Sequence, residues 1–299
     1  MTDFIPVNEP LIGDKEKELV LNCLNSGWIS SEGSYVKEFE SKFSGYIKKK
    51  YGVACSSGTA ALEIAMASLN LNPGDEVILP TFTIISCASA IIKAGGTPVL
   101  VDCDPLTFNA KPEDIINAVT EKTVAIMIVH IYGLPVDIEP IIKYAKRKNI
   151  FIIEDAAELI GSKYKGMPCG SFGDISTFSF YSNKHITTGE GGMVVTDDFK
   201  IAEKCKSFRN LCFQPEKRFI HEELGWNYRM TNLQAALGLG QMHDLEKRIE
   251  KKKWIGRTYD ELIDKELKIN KPIKYLDYAE NIYWVYGIVL NEELGKASK

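Results

Sequence analysis

Between residues 51 and 196, short apolar runs alternate with segments whose apolar positions recur at helical spacing. The pattern predicts strands at 51–55, 76–79, 97–101, 123–129, 150–154, 176–180 and 193–196. It predicts helices at 59–69, 84–93 and 139–148, and another begun by Lys111-Pro112-Glu113-Asp114 with proline in its first turn. Runs such as Val124-Ala125-Ile126-Met127-Ile128-Val129 show no polar alternation, so such a strand is covered on both faces. This points to an α/β fold, a mostly parallel sheet between helix layers. The last two strands are close enough in sequence to be antiparallel neighbours. Beyond residue 231, a stripe from Leu233 through Leu245 to Ile249 predicts one long helix reaching about residue 264 and leading toward a second domain. Residues 281–290 read as a single strand. The expected division is a large domain with an N-terminal arm over 1–240, then a connecting helix and a partial small domain over 241–299.

In sheets of this kind, ligands gather outside the carboxyl ends of the strands. Three groups of residues stand at or near such ends. Ser57, Gly58 and Thr59 lie where a strand turns into a helix, and exposed amides with the helix dipole there favour a phosphate. Alone, this is a weak motif that equally describes a helix cap. Asp155 closes an apolar run, where a carboxylate is costly unless paired. Alone, it too reads as a cap. Lys184 lies between a strand and the turn Gly189-Glu190-Gly191-Gly192. An amine, a strand-end acid and a phosphate cradle together are what pyridoxal phosphate (PLP) needs: a Schiff-base lysine, a partner for the pyridine nitrogen and a phosphate site. Ser179, five residues before Lys184, offers a further phosphate hydroxyl. Phe82, in a carboxyl-end loop, offers a face for the ring, and Glu158 falls near Asp155 if the chain turns helical, within reach of the ring hydroxyl.

Composition narrows the field. Net charge is −4, which gives no basis for nucleic-acid binding, and the basic cluster around Lys251-Lys252-Lys253 is interleaved with acids, as on a solvated helix face. No apolar stretch is long enough for a membrane span, and the first residues do not resemble a signal peptide. Seven cysteines without a Cys-x-x-Cys pair argue against a disulfide framework and a zinc site, so no metal is expected. Cys55, Cys87 and Cys103 read as small hydrophobes, and a reducing cytoplasm is the expected location.

The ordered set Ser26-Gly27-Trp28-Ile29-Ser30-Ser31-Glu32-Gly33, Ser57-Gly58-Thr59-Ala60-Ala61-Leu62, Glu154-Asp155-Ala156-Ala157-Glu158, Ser179 to Lys184, Thr188 to Gly192 and Gly225-Trp226-Asn227-Tyr228-Arg229-Met230-Thr231-Asn232 resembles the DegT-type PLP-dependent sugar aminotransferases. The resemblance runs from about residue 8 to residue 265. It implies the aspartate-aminotransferase-like fold type I and a homodimer with shared active sites. It implies Lys184 as the Schiff-base lysine, Asp155 on the pyridine nitrogen, Phe82 on the ring, and Gly58, Thr59 and Ser179 on the phosphate. Asn227, with Arg229 beside it, would reach the neighbouring subunit's cofactor phosphate, and Trp28, Ile29 and Ser30 would lie near the sugar nucleotide. L-glutamate is the implied amino donor. The stretch from Phe208 to Asn232 is similar to family members that aminate GDP-4-keto-6-deoxymannose for surface glycans, with UDP- or dTDP-4-keto-6-deoxyglucose as the alternative. Members of the family continue through a complete small domain, whereas this chain stops soon after its first expected strand there. A shortened, inactive form with a non-enzymatic role is therefore a second alternative.

Overall fold

A computed structural model of the chain describes residues 6–214, 216–263, 267 and 269–290. Two helices that the apolar pattern did not single out come first, α1 (Asp14–Ser26) and α2 (Ser34–Ile47). The alternating region follows as β1 (Tyr51–Cys55), α3 (Gly58–Ser68), β2 (Glu76–Pro80), α4 (Ile85–Lys93), β3 (Thr97–Val101), α5 (Pro112–Asn117), β4 (Thr123–Val129), α6 (Ile138–Lys148) and β5 (Phe151–Asp155). A small hairpin of β6 (Lys163–Tyr164) and β7 (Met167–Pro168) precedes β8 (Ile175–Ser179), β9 (Gly192–Thr196) and α7 (Phe199–Arg209).

One seven-stranded sheet, in the order β1-β9-β8-β5-β4-β2-β3, forms the centre. Strands β3, β2, β4, β5 and β8 pair in parallel, and β9 pairs antiparallel with both β8 and β1. Reversal of β9 alone leaves β1 running the same way as the parallel strands. The carboxyl ends of β1, β5 and β8 therefore share one edge of the sheet.

The two faces of β8 do different work. Phe178 and Phe180 join Phe39 and Phe43 of α2 in a fully buried aromatic cluster with ring centroids 4.8–5.9 Å apart. By strand alternation, Thr177 and Ser179 point to the opposite face. Register pairs Thr177 with Asp155.

Two expectations about the later chain are corrected. The long helix divides into α8 (Asn232–His243) and α9 (Leu245–Leu262), separated by Asp244 at φ −111°, ψ 18°. Aspartate competes locally with helix hydrogen bonding, and here its carboxylate meets Lys247 at 2.7 Å. Leu245 and Ile249 remain buried, so the apolar stripe survives the break. The expected end near residue 264 lies outside the described residues. The segment 281–290 is not one strand: only β13 (Val289–Leu290) is extended, paired with β10 (Ile269–Asn270), beside a small hairpin of β11 (Tyr275–Leu276) and β12 (Ala279–Glu280). Residues 281–284 instead dock on the loop after β4. The Ile282 amide donates to the Gly133 carbonyl, and Asn281 Oδ1 accepts from the Tyr283 amide. Gly133 has φ +96°, and a Cβ there would lie 2.6 Å from the Tyr283 nitrogen, so only glycine permits the approach.

The aromatic cluster anchors the strand that leads to Lys184. Phe43→Ala is expected to lower unfolding stability by about 3–5 kcal/mol, read from chemical denaturation midpoints.

Candidate functional site

At the shared carboxyl edge of the sheet lies a cavity of about 340 Å³. Its walls include Ser57, Gly58, Thr59, Asp155, Glu158, Thr177, Ser179, Asn183, Lys184 and Trp284. Segments as far apart in sequence as α3 and the strip 281–284 thus meet at one place.

Ser57 caps α3: its hydroxyl accepts from the Ala60 amide at 3.1 Å. Amides in the first turn of a helix have no partner within it, and they open here beside the Thr59 hydroxyl. Thr59 Oγ1 sits 2.8 Å from Ser86 Oγ. A Cβ on Gly58 would come within 2.8 Å of the Ser179 Cβ, so the absent side chain lets the helix start and Ser179 close on each other. The result is a cradle of amides and hydroxyls suited to a phosphate.

The two neighbouring acids of β5 face opposite ways. Glu154, fully buried, meets His130 Nε2 at 3.1 Å and accepts from the amides of Gly170, Phe172 and Gly173. The Val136 amide donates to His130 Nδ1, which makes Nε2 the protonated nitrogen that donates to Glu154. Burial works against the Glu154 charge, but His130 and these amides hold its carboxyl below the usual range. Its role is structural. Asp155 is also buried yet has no ion pair among the described residues; Oδ1 accepts from the Ala157 amide at 3.0 Å and Oδ2 from the Cys87 thiol at 3.2 Å. Burial pushes the Asp155 pKa up, against these two donors and the nearby charge of Lys184. A cationic ring N–H in the cavity is the partner this carboxylate lacks.

Cys87 is therefore more than the small hydrophobe expected. Its own proton is committed to Asp155, so the Thr83 hydroxyl, 3.2 Å away, donates to its sulfur. The chain Thr83–Cys87–Asp155 ties the start of α4 to the end of β5. Burial raises the Cys87 thiol well above its ordinary range, which keeps it a donor.

Lys184 reaches into the same cavity. Burial lowers its pKa, opposed by Glu158 and then Asp155. Its Nζ lies 3.7 Å from the centre of the Trp284 ring, and the Trp284 indole N–H donates to the Asn183 carbonyl at 2.9 Å. Glu158 Oε2 accepts from the Tyr132 amide at 2.7 Å, and burial raises its carboxyl to about 7. Two buried oxygens at this site, Thr177 Oγ1 and Asn183 Oδ1, have no hydrogen-bond partner among the described residues. Unmet acceptors and donors, an unpaired acid, a lysine and a phosphate cradle within one cavity fit PLP.

Other expected residues are elsewhere. Phe82 is not among the cavity walls; it packs against Phe108 and Tyr132, with ring centroids 5.7 and 5.8 Å away, and is 39% exposed. Trp28, Ile29 and Ser30 are exposed and lie outside the cavity, held where Asn232 binds the carbonyls of Trp28 and Ser30. Asn227 is exposed, bridged to Asn210, and Arg229 donates to Asn210 Oδ1 at 2.6 Å. Between them the Tyr228 carbonyl accepts from the Ser56 amide, so this segment adheres to the outer side of the phosphate-loop strand. Sequence reasoning missed Trp284, Thr177 and the polar role of Cys87. Nothing local marks them; each acts on a partner supplied by another element.

Among the described residues, no helix is long and apolar enough to cross a membrane, and no group of three or more His, Cys, Asp or Glu is placed to hold a metal ion. A sequence model of the DegT/DnrJ/EryC1/StrS aminotransferase family matches residues 10–298. Among known proteins, the chain is 45% identical over 286 residues to a GDP-perosamine synthase of Escherichia coli O157:H7, covering 96% of this chain and 78% of that protein. It is 40% identical to a GDP-perosamine synthase of Caulobacter vibrioides, covering 97% and 78%. Among solved structures, Helicobacter pylori PseC, an aminotransferase involved in the biosynthesis of pseudoaminic acid, superposes with a TM-score of 0.91 at 26% identity, covering 98% of this chain and 79% of that one. The PLP form of a putative sugar aminotransferase, Spr1654 of Streptococcus pneumoniae, gives 0.88 at 29% identity, covering 96% and 78%.

The site generates two stability predictions. Glu158 titrates at about 7 when folded against 4.5 ordinarily, so the folded chain holds the extra proton. Stability from this group is fully present below about pH 4.5 and is lost as pH rises through about 7. Relative to wild type, Glu158→Gln should gain on the order of 2–3 kcal/mol between about pH 5 and about pH 8, measured by urea unfolding. Cys87→Ala should cost about 1–3 kcal/mol by stripping a donor from buried Asp155, and Cys87→Ser should recover most of it.

Proposed function

Because the chain belongs to the DegT/DnrJ/EryC1/StrS aminotransferase family, we propose that it is a PLP-dependent aminotransferase that moves an amino group from L-glutamate to the 4-keto carbon of a nucleotide-linked 6-deoxy sugar. The substrate is GDP-4-keto-6-deoxymannose and the product GDP-perosamine, a reading supported by the likeness to GDP-perosamine synthases at 45% and 40% identity. The observation that carries the chemistry is the convergence of Lys184 and Asp155 on one cavity whose walls include the start of α3.

The first-turn amides of α3 with Thr59 and Ser179 hold the cofactor phosphate. Asp155 holds the proton on the pyridine nitrogen, and Phe82, packed on Phe108 and Tyr132 outside the cavity walls, would have to turn inward to stack on the ring. When bound, PLP supplies an aldehyde that condenses with amines and a ring that stabilises negative charge on the adjoining carbon. Lys184 Nζ is the base and acid: burial lowers its proton affinity, so it can take a proton at one carbon and return it at another. Glu158, ionising near about 7, lies close enough to feel Lys184 and orients the ring hydroxyl. Trp284 and the buried sheet edge limit water at Nζ.

The active form is a homodimer. Ile84 lines the cavity and is 62% exposed, and Ile85 is 76% exposed, so the site ends in an apolar surface that a second copy would cover. Asn227, Arg229 and the Trp28–Ser30 segment serve the neighbouring site. Seven free thiols suit a reducing cytoplasm.

The test incubates the purified chain with PLP, L-glutamate and GDP-4-keto-6-deoxymannose, with products read by mass spectrometry. An amino sugar nucleotide and an equal amount of 2-oxoglutarate are expected. Lys184→Ala should lose the visible absorbance of the bound cofactor and at least about 10²-fold in amino transfer. Amination of UDP- or dTDP-4-keto-6-deoxyglucose instead would replace the substrate; no amination of any of the three would reject the reading.

A further inference from the structure

We propose that Trp284 is the resting surface of the free Lys184 amine: whenever Lys184 is not covalently engaged, the indole face holds its ammonium group inside the cavity. The inference deepens the proposed role of Lys184 and rests on it. Four observations carry it. The Nζ atom stands 3.7 Å from the ring centre, within the range of a cation–π contact. The ring is fixed at its other end, where its N–H donates to the carbonyl of Asn183, the residue before Lys184. Its backbone is fixed as well, since Lys252 Nζ donates to the Trp284 carbonyl at 3.2 Å and the preceding strip docks on Gly133. Trp284 also lines the same cavity as Asp155 and Glu158.

A lysine that is released once per reaction must be kept from leaving the site. Here two forces act on the free amine. Burial favours the neutral form, and the indole face, Glu158 and Asp155 favour the charged form. The other charged or titratable groups nearby are His130, Tyr181 and Glu190, which line the cavity, His185, buried and held neutral with its pKa pushed down to about 3, and Lys252. Trp284 is thus a positioning residue: it acts on Lys184 and not on the reacting carbons.

The test follows PLP capture by the cofactor-free chain. Condensation of the amine with the aldehyde expels one water and requires the neutral amine, so the capture rate, read as growth of visible absorbance, rises with pH through the free lysine's pKa. If the indole stabilises the ammonium form, Trp284→Leu lowers that midpoint by about 0.5–1.5 pH units, and Trp284→Phe lowers it by less. Below the midpoint, the leucine variant then captures PLP faster than wild type. A general loss of structure would expose Lys184 and move the midpoint up toward the ordinary lysine value, opposite to the expected shift. An unchanged midpoint in both variants overturns the proposal. A raised midpoint also overturns it, because Trp284 would then act only by excluding water. Absence of any absorbance in wild type would instead sink the assignment of Lys184, and this inference with it.

Discussion

The structure turns on a carboxylate with too few partners. Asp155 is buried at the end of β5 and receives one amide and one thiol hydrogen bond, with no ion pair among the described residues. Its neighbour Glu154 shows what full satisfaction looks like in the same strand: a histidine and three amides. A fold that can satisfy one acid so completely and leaves the next one short is holding a place for a cation. The surrounding elements keep that place open at some cost to their own stability.

Strand alternation links this place to the hydrophobic core. Phe178 and Phe180 are locked by α2 on one side of β8, and the same backbone then has no freedom in where it presents Thr177 and Ser179. The phosphate cradle is set in the same way, since Gly58 lets α3 close on Ser179. Core packing and site geometry are two consequences of one strand, and damage to the aromatic cluster is transmitted to the loop that carries Lys184.

The central strand Thr123–Val129 was legible because it is buried and its apolar run does not alternate; Tyr51–Cys55 and the more exposed edge strand Thr97–Val101 also have the bounds the pattern predicts. The carboxyl-end rule brought Ser57 and Asp155 together without a structure, the chemistry of PLP added Lys184, and the cavity gathers those residues. What stayed hidden depends on distant partners. Cys87 sits in an apolar run, and its role appears only through a carboxylate 68 residues on. The break at Asp244 leaves the apolar stripe intact, so periodicity passed over it. The strip 281–284 has strand-like composition, yet the docking on Gly133 and the left-handed Tyr283, φ 50°, override it.

That docking has a consequence for how the protein is made. The Trp284 indole meets the Asn183 carbonyl across 101 positions of chain. All seven strands of the sheet, Asp155 and Lys184 are synthesised well before the residue that shuts the lysine in. A chain cut before residue 284 would therefore keep Lys184 and Asp155 while lacking the wall that Trp284 gives their cavity.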